Sequence, residues 1–246
     1  MIMEPIYSQT FTLKDFHVDC FDWLKPAVLL QFIQEVSSVH GSALGADKET
    51  LASRNLFWII VRTRVQITRM PVCGETITLT TWPMPTTRVA YPRSVIGYDA
   101  SGAEIFRSIS LWGMMDRTSR CLVVPSKSGI AVQGHLEGTE LAAPGSLSPS
   151  LTEHSTSRRV CFSDLDRNGH MNNTRYFDWI CDLLPAAFHR DQDLKEFTIC
   201  YLSEAMEGQV LDMGWDIREG NLQVEASCQT DTEGKPHRVF AAKLQF

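Results

Sequence analysis

The stretch Asp166-Arg167-Asn168-Gly169-His170-Met171-Asn172-Asn173-Thr174-Arg175-Tyr176 sets a carboxylate, an amide and an imidazole two residues apart. In an extended segment such side chains point the same way. Asp166, Asn168 and His170 are therefore expected to line one wall of a cleft as acceptor, dipole and titratable base. Behind them Phe177, Ile180, Cys181, Leu184 and Phe188 recur at offsets of three and four, which predicts one helix with a single buried stripe. Asn172 or Asn173 is placed to cap its first turn. The last polar residues of the motif then lie beside the free N–H groups and positive dipole end of a helix, where a developing oxyanion is stabilised. Asp, Asn and Gly also cluster in ordinary turns, and a lone histidine is commonly a structural hydrogen-bonder. A turn accounts for Asn168-Gly169 but not for the whole string, so the reading taken is a site built where a loop enters a helix.

Working outward, a strand near Ser155 to Cys161 precedes this motif. Strands near Glu196 to Glu204, Gln209 to Arg218, Leu222 to Thr230 and Arg238 to Phe246 follow it. The N-terminal half has the same order. A strand near Ser8 to Val18 leads to a helix beginning at Pro26, with an apolar face of Leu29, Phe32, Ile33, Val36 and Val39. Strand patterns then run over Phe57 to Thr68, Glu75 to Trp82, Arg88 to Tyr98, Glu104 to Met115 and Cys121 to Val124, punctuated by turns at Pro71 to Gly74 and Asp99 to Gly102. The turn Asp231-Thr232-Glu233-Gly234 matches Asp99-Ala100-Ser101-Gly102 in type and place. Strand, long helix, then antiparallel strands, twice over, predicts a duplicated α+β unit in which each helix buries its stripe on a sheet. The expected division is 1–125, a Gly-, Ser- and Pro-rich linker over 126–150, and 151–246. Where the second copy has Asp-x-Asn-x-His, the first has Val18-Asp19-Cys20-Phe21-Asp22-Trp23, so the polar site is expected in the second half alone.

A chain of 246 residues with a formal charge of −6 lacks the basic face of a nucleic-acid binder. Its seven cysteines are scattered without a C-x-x-C pair, which favours a reducing compartment over disulfides or a zinc site. Met1 to Thr10 shows no basic-then-apolar signal pattern, and the apolar run Leu56 to Val61 is far too short to cross a bilayer. The expectation is a soluble, cytoplasmic protein without metal or cofactor.

With these residues placed, the chain resembles the plant and bacterial fatty acyl-acyl carrier protein thioesterases. Asp166-x-Asn168-x-His170 followed by Asn172-Asn173-x-x-Tyr176 is similar to that family's motif. Tyr201-Leu202-Ser203-Glu204-Ala205 falls where the family has a strand ending in a catalytic glutamate, and Glu204 follows His170 by 34 residues, the family's interval. Phe57-Trp58, Gly74-Glu75-Thr76 and Ser110-Leu111-Trp112 before Asp116 resemble family positions in the first half, so the likeness spans all but the linker. The resemblance implies two tandem hotdog domains, each a long helix wrapped by an antiparallel sheet. It also implies hydrolysis of fatty acyl-acyl carrier protein, which releases free fatty acid and terminates elongation. Plant members carry a cysteine directly after the glutamate where this chain has Ala205, so a thiolate there is excluded and the chemistry is expected to run on water.

On that reading Asp166, Asn168, His170 and Glu204 are the catalytic set. Glu204, on a sheet face with Thr198, Cys200 and Leu202, is expected to be desolvated by apolar neighbours and made more basic. With His170 it activates water, as base or by direct attack on the carbonyl. Asn168 polarises the carbonyl, and Asp166 orients its neighbours. Leu29, Phe32, Ile33, Val36 and Trp58 are expected to house the acyl chain in the first half. An acidic carrier protein calls for local positive charge, for which Arg88, Arg93, Arg158, Arg159, Arg167 and Arg175 are candidates, Arg167 and Arg175 being nearest the motif. His40 lines a pocket or satisfies helix carbonyls. Two alternatives stand beside this reading: an acyl-CoA thioesterase of the same superfamily, and a non-catalytic acyl-binding protein, which has no need of the polar set. Two hotdog units can pair within one chain, leaving a homodimer optional.

Overall fold

The computed structural model describes residues 4–149, 152–229 and 236–246. The chain divides into two compact units, Met1–Pro144 and Gly145–Phe246. In the first, strand β1 (Tyr7–Thr12) and a 3-10 turn (Asp15–His17) precede helix α1 (Pro26–Ala43) and a short helix α2 (Lys48–Ala52). Strands β2 (Leu56–Ile67), β3 (Thr76–Pro83), β4 (Tyr91–Tyr98), β5 (Glu104–Asp116) and β6 (Leu122–Val123) follow, then one turn of helix, α3 (Pro125–Ser128). The sheet order is β1-β3-β4-β5-β2, with β6 pairing on β5.

Pro26 opens α1 at a position where its missing N–H costs nothing and its fixed φ suits the helix. Offsets of four, three and four carry the buried stripe through Leu29, Ile33, Val36 and His40. Val39, expected on that face, lies at its edge and is 42% exposed. Asp47 starts α2, which the sequence reading missed, by accepting the N–H groups of Glu49 and Thr50 at 2.9 Å. Gly97 of β4 faces Phe106 of β5 in register, and the Phe106 ring lies where a Cβ would project. Only glycine admits that approach.

The supposed linker is laid on the first unit as far as Pro144 and belongs to the second unit from Gly145 on. Its residues 129–149 have no regular secondary structure. His135 nevertheless donates its backbone N–H to the Pro83 carbonyl at 2.8 Å, and Arg107 reaches the Thr139 carbonyl at 2.8 Å. Leu141 is buried with Trp82, Met84 and Ile109. A Pro- and Gly-rich composition fixes the lack of periodicity, but not whether the segment finds a surface.

The second unit repeats the first: β7 (His154–Arg159), a 3-10 turn (Phe162–Asp164), helices α4 (Arg175–Cys181) and α5 (Ala186–Asp191), then β8 (Glu196–Tyr201), β9 (Val210–Arg218), β10 (Asn221–Cys228) and β11 (His237–Gln245). Its order is β8-β11-β10-β9-β7, which is the first sheet strand for strand when β7 to β11 are matched to β1 to β5. Each unit is thus a hotdog: helix against a five-stranded antiparallel sheet. The turn expected at Asp231 to Gly234 lies outside the described residues.

The single long second helix is corrected. It stops after Cys181, and Pro185 precedes the separate α5. Proline lacks the N–H that would continue the helix and biases Leu184 away from helical angles. The buried side chains of α4 are Tyr176, Phe177, Trp179 and Ile180, with Phe177 packed on Phe197 at 4.5 Å and Tyr176 on Phe240 at 4.9 Å. Leu184 and Phe188 are half-buried outside it. No helix among the described residues is long and apolar enough to span a membrane.

Candidate active site

The motif is a tight turn, not an extended wall. Leu165 and Met171 form a bridge, Asp166 N–H donates to the His170 carbonyl at 2.7 Å, and Gly169 N–H donates to the Asp166 carbonyl at 3.0 Å. Gly169 takes φ +79°, a conformation glycine adopts without strain. The Asp166 carboxylate closes the turn. Its Oδ1 accepts the N–H of Asn168 at 2.7 Å and that of His170 at 3.4 Å, and its Oδ2 accepts Asn168 Nδ2–H at 3.2 Å. The extended segment expected here is replaced by a turn because the Asp side chain competes successfully for local backbone donors, while the Asp166 and Asn168 side chains stay together.

That turn brings His170 to Glu204. The His170 Nδ1 to Glu204 Oε1 distance is 3.4 Å, with 18% and 33% of the two side chains exposed. Two backbone links hold them: Met171 N–H donates to the Ala205 carbonyl at 2.8 Å, and His170 bridges Met206. Glu204 is not on a strand. β8 ends at Tyr201, and Leu202 and Ser203 both donate to the Val239 carbonyl, at 2.8 and 3.1 Å. This irregularity breaks the two-residue alternation. Glu204 therefore leaves the strand that carries Thr198 and Cys200 and stands partly in solvent.

Tyr176, which the sequence reading left without a role, stands beside this pair. Burial first, then the Glu204 carboxylate and more weakly Asp166, push its phenol well above the ordinary value; a hydrogen bond with the Ala205 backbone offsets this in part. It is thus a neutral phenol within the field of both carboxylates. The signal in the sequence was its offset of six from His170, which one turn plus one helical entry spans. Tyr201, half-buried and 5.8 Å from Tyr176, gives its hydroxyl to the Asn173 carbonyl at 3.1 Å and fixes the loop that enters α4.

Asn172 caps that entry, its Oδ1 accepting both the N–H and the hydroxyl of Thr174 at 2.9 Å. The Arg175 N–H is bonded to the Asn172 carbonyl and the Phe177 N–H to the Thr174 carbonyl. The N–H groups of Thr174, Arg175 and Phe177 at the helix start are therefore in use. Asn168 is the amide that remains exposed on the turn.

The first unit carries the same turn without the chemistry. Val18 and Leu24 bridge, Asp19 N–H donates to the Trp23 carbonyl at 2.8 Å, and Asp22, at φ +72°, donates to the Asp19 carbonyl at 3.2 Å. Asp19 Oδ1 accepts from the N–H of Phe21 and of Trp23, at 2.8 and 3.1 Å. Leu24 donates to the Pro71 carbonyl at 2.9 Å, as Met171 does to Ala205. Position by position, Asp19 matches Asp166, Phe21 matches Asn168, Trp23 matches His170 and Met70 matches Glu204. The aspartate persists where the amide, imidazole and carboxylate do not, which identifies it as the residue that shapes the turn.

Of the acyl-chain candidates, Leu29, Phe32, Ile33 and Val36 are buried beneath α1, Phe32 stacking on Phe11 at 4.3 Å. Trp58 on β2 donates its Nε1–H to the Ala46 carbonyl at 3.0 Å and meets Tyr91 edge-on. Arg167 is exposed on the turn. Arg175 instead is tied to Asp178 at 2.7 Å and approaches the buried Asp164 at 3.6 Å. Arg93 is buried and belongs to no surface patch, and Arg158 pairs with Asp182 at 2.7 Å while covering Trp179. His40 is buried between the Glu4 carbonyl and Arg93. Cys161 is exposed and Cys200 buried. Among the described residues no group of three or more His, Cys, Asp or Glu gathers as a metal set.

A tandem hotdog with an imidazole and a carboxylate converging on a turn of its second unit is the class this geometry defines. Residues 4–126 match the acyl-ACP thioesterase N-terminal domain and residues 149–245 the acyl-ACP thioesterase C-terminal domain, and the chain belongs to that family. It is 25% identical over 237 residues to a chloroplastic palmitoyl-acyl carrier protein thioesterase of Gossypium hirsutum, covering 89% of this chain and 56% of that one. To a dodecanoyl-[acyl-carrier-protein] hydrolase of Cinnamomum camphora it is 24% identical, covering 91% of this chain and 63% of that one. The chain thus spans a little over half the length of these curated relatives. An acyl-ACP thioesterase from Bacteroides thetaiotaomicron superposes with a TM-score of 0.88 at 25% identity, over 98% of both chains. The 12:0-ACP thioesterase from Umbellularia californica does so at 0.82 and 20%, over 100% of this chain and 98% of the other.

Proposed function

We propose that this protein hydrolyses the thioester of fatty acyl-acyl carrier protein, releasing a free fatty acid and ending elongation within fatty acid synthesis. The observation that carries the reading is the 3.4 Å approach of His170 Nδ1 to Glu204 Oε1, in the unit that matches the family's C-terminal domain. Glu204 accepts from Nδ1–H and fixes the ring, leaving Nε2 to take a proton from water. The resulting hydroxide attacks the thioester carbon. One N–H of the Asn168 amide is held by Asp166; the other meets the developing oxyanion. Collapse breaks the C–S bond, and the carrier's thiolate receives the proton from Nε2. Tyr176 supplies a neutral hydroxyl beside Glu204. Asp166 acts through the turn and through Asn168. The cysteines take no part.

The first unit, in this reading, houses the acyl chain beneath α1, and Arg167 at the rim meets the acidic carrier. Purified protein incubated with acyl-acyl carrier protein should release free fatty acid. Parallel reactions with the CoA thioester of the same acid identify the preferred carrier. Hydrolysis of neither thioester would refute the proposal.

A further inference from the structure

The helix-facing side of the first sheet is apolar under most of α1 but polar beneath its C-terminal end. Residues directly opposite one another across strands share a face, so Arg93, Ser110 and Thr63 form one row across β4, β5 and β2. Thr81, Val95, Ser108 and Val65 form the next. His40 of α1 reaches this side and accepts a hydrogen bond on Nδ1 from Arg93 Nη1 at 3.0 Å, while its Nε2–H donates to the Glu4 carbonyl at 3.0 Å. The second Nη1–H goes to Thr81 Oγ1 at 3.2 Å. Thr63 and Ser110 hydroxyls pair at 3.0 Å, and the buried Ser108 Oγ has no partner.

Arg93 is 8% exposed, and its two neighbours here are neutral. No carboxylate among the described residues pairs with it, and burial alone pulls its guanidinium down to about 10, so it stays charged at neutral pH. A buried cation without a counter-charge is costly. Both Nη1 protons are engaged, which leaves the Nε–H and Nη2–H edge, the fork that fits a carboxylate with two parallel hydrogen bonds.

We propose that the interior of the first unit is a carboxylate-binding site in which the Nε/Nη2 edge of Arg93 is the counter-ion of an aliphatic carboxylate. The stripe of Leu29, Ile33 and Val36, which ends at His40, meets the ligand's hydrocarbon. Two sources share this chemistry: a free fatty acid, or a carboxylate at the far end of an acyl chain. The second rests on the thioesterase reading above.

The test titrates the full-length protein with decanoate and with decanol by calorimetry. It also compares hydrolysis of decanoyl-acyl carrier protein with that of the same chain bearing a terminal carboxylate. Decanoate should bind about tenfold or more tightly than decanol, and Arg93→Met should erase the difference. Arg93→Lys, which keeps the charge and loses the fork, should fall between. Discrimination in binding alone assigns the site to free fatty acid; an Arg93-dependent preference of about tenfold or more in kcat/KM for the carboxylate-ended thioester assigns it to substrate. Wild-type protein that binds decanoate and decanol alike and cleaves both thioesters alike overturns the proposal, even if Arg93→Met does not fold. A folded Arg93→Met protein that binds decanoate as wild type does overturns it too. Arg93-dependent binding of decanoate with no hydrolysis of any thioester would leave this site standing and refute the thioesterase reading instead.

Discussion

Replacing Asp166 and Asp19 in parallel separates shape from chemistry, because the two carboxylates close equivalent turns in the two units. Asp166 accepts two backbone N–H groups, at 2.7 and 3.4 Å, and Asp19 accepts two, at 2.8 and 3.1 Å. Both side chains are half-buried. Losing such a carboxylate acceptor costs about 1–2 kcal/mol, in the range of a helix cap, so Asp166→Ala and Asp19→Ala should lower the melting temperature by similar amounts. Their effects on turnover should differ. Asp166→Ala releases the Asn168 amide and the His170 backbone, a misplacement worth roughly 10- to 100-fold in kcat, whereas Asp19→Ala should leave kcat of the folded protein unchanged. Asp166→Asn keeps an acceptor at Oδ1 and should remain within about tenfold of wild type, since Asn forms the same side-chain turn. The assay is thermal melting beside steady-state hydrolysis of acyl-acyl carrier protein. An Asp166→Asn enzyme as inactive as Asp166→Ala, with both fully stable, would mean that the charge takes part in the reaction and that the turn-shaping argument is wrong.

Cys161→Ser and Cys200→Ser should retain activity, with at most a modest loss of stability for the buried Cys200; loss of turnover in a stable protein would overturn the water-based scheme. Phe32→Ala and Val36→Trp should shift the preferred acyl length more than the best rate, because each methylene contributes about 0.8 kcal/mol on burial, while Ile180→Trp should damage catalysis or folding. A chain-length series of carrier-protein substrates checks this, and profiles that move only with second-unit substitutions would contradict it. Burial, and next to the Glu4 carbonyl's opposing pull the Arg93 charge, hold His40 below the ordinary histidine value. The unfolded chain therefore binds more protons as pH falls through about 6.5, and the contribution that is complete above that pH is lost below it. His40→Gln should flatten the decline of melting temperature between neutral pH and pH 5, leaving the effect of His17, which shifts in the same direction. An unchanged pH profile would show that His40 does not titrate on unfolding.

The duplicated fold was legible in the repeated order of its elements, and most plainly where apolar burial imposes a period, as in β3, β10 and α1. The second helix misled because Leu184 and Phe188 continue the apolar spacing past Pro185, and the proline outweighs the pattern. At the site, residue identities were legible from spacing and geometry was not. Asp166 captures local N–H groups and bends an apparently extended string into a turn, and the doubled bond at the Val239 carbonyl lifts Glu204 off its strand. Periodicity carries no information about either event. Nor does it reveal the buried Arg93, whose row exists only once the register of three strands is known.

The central claim is that His170 and Glu204 act as one unit in thioester hydrolysis, and the most direct measurement is a double-mutant cycle on acyl-acyl carrier protein hydrolysis. His170→Ala and Glu204→Ala should each lower kcat by about 100-fold or more, and the double variant should lose far less than the product of the two. Losses that multiply, or a Glu204→Ala enzyme of near-normal rate, would contradict the account and send the search for the base elsewhere in the second unit.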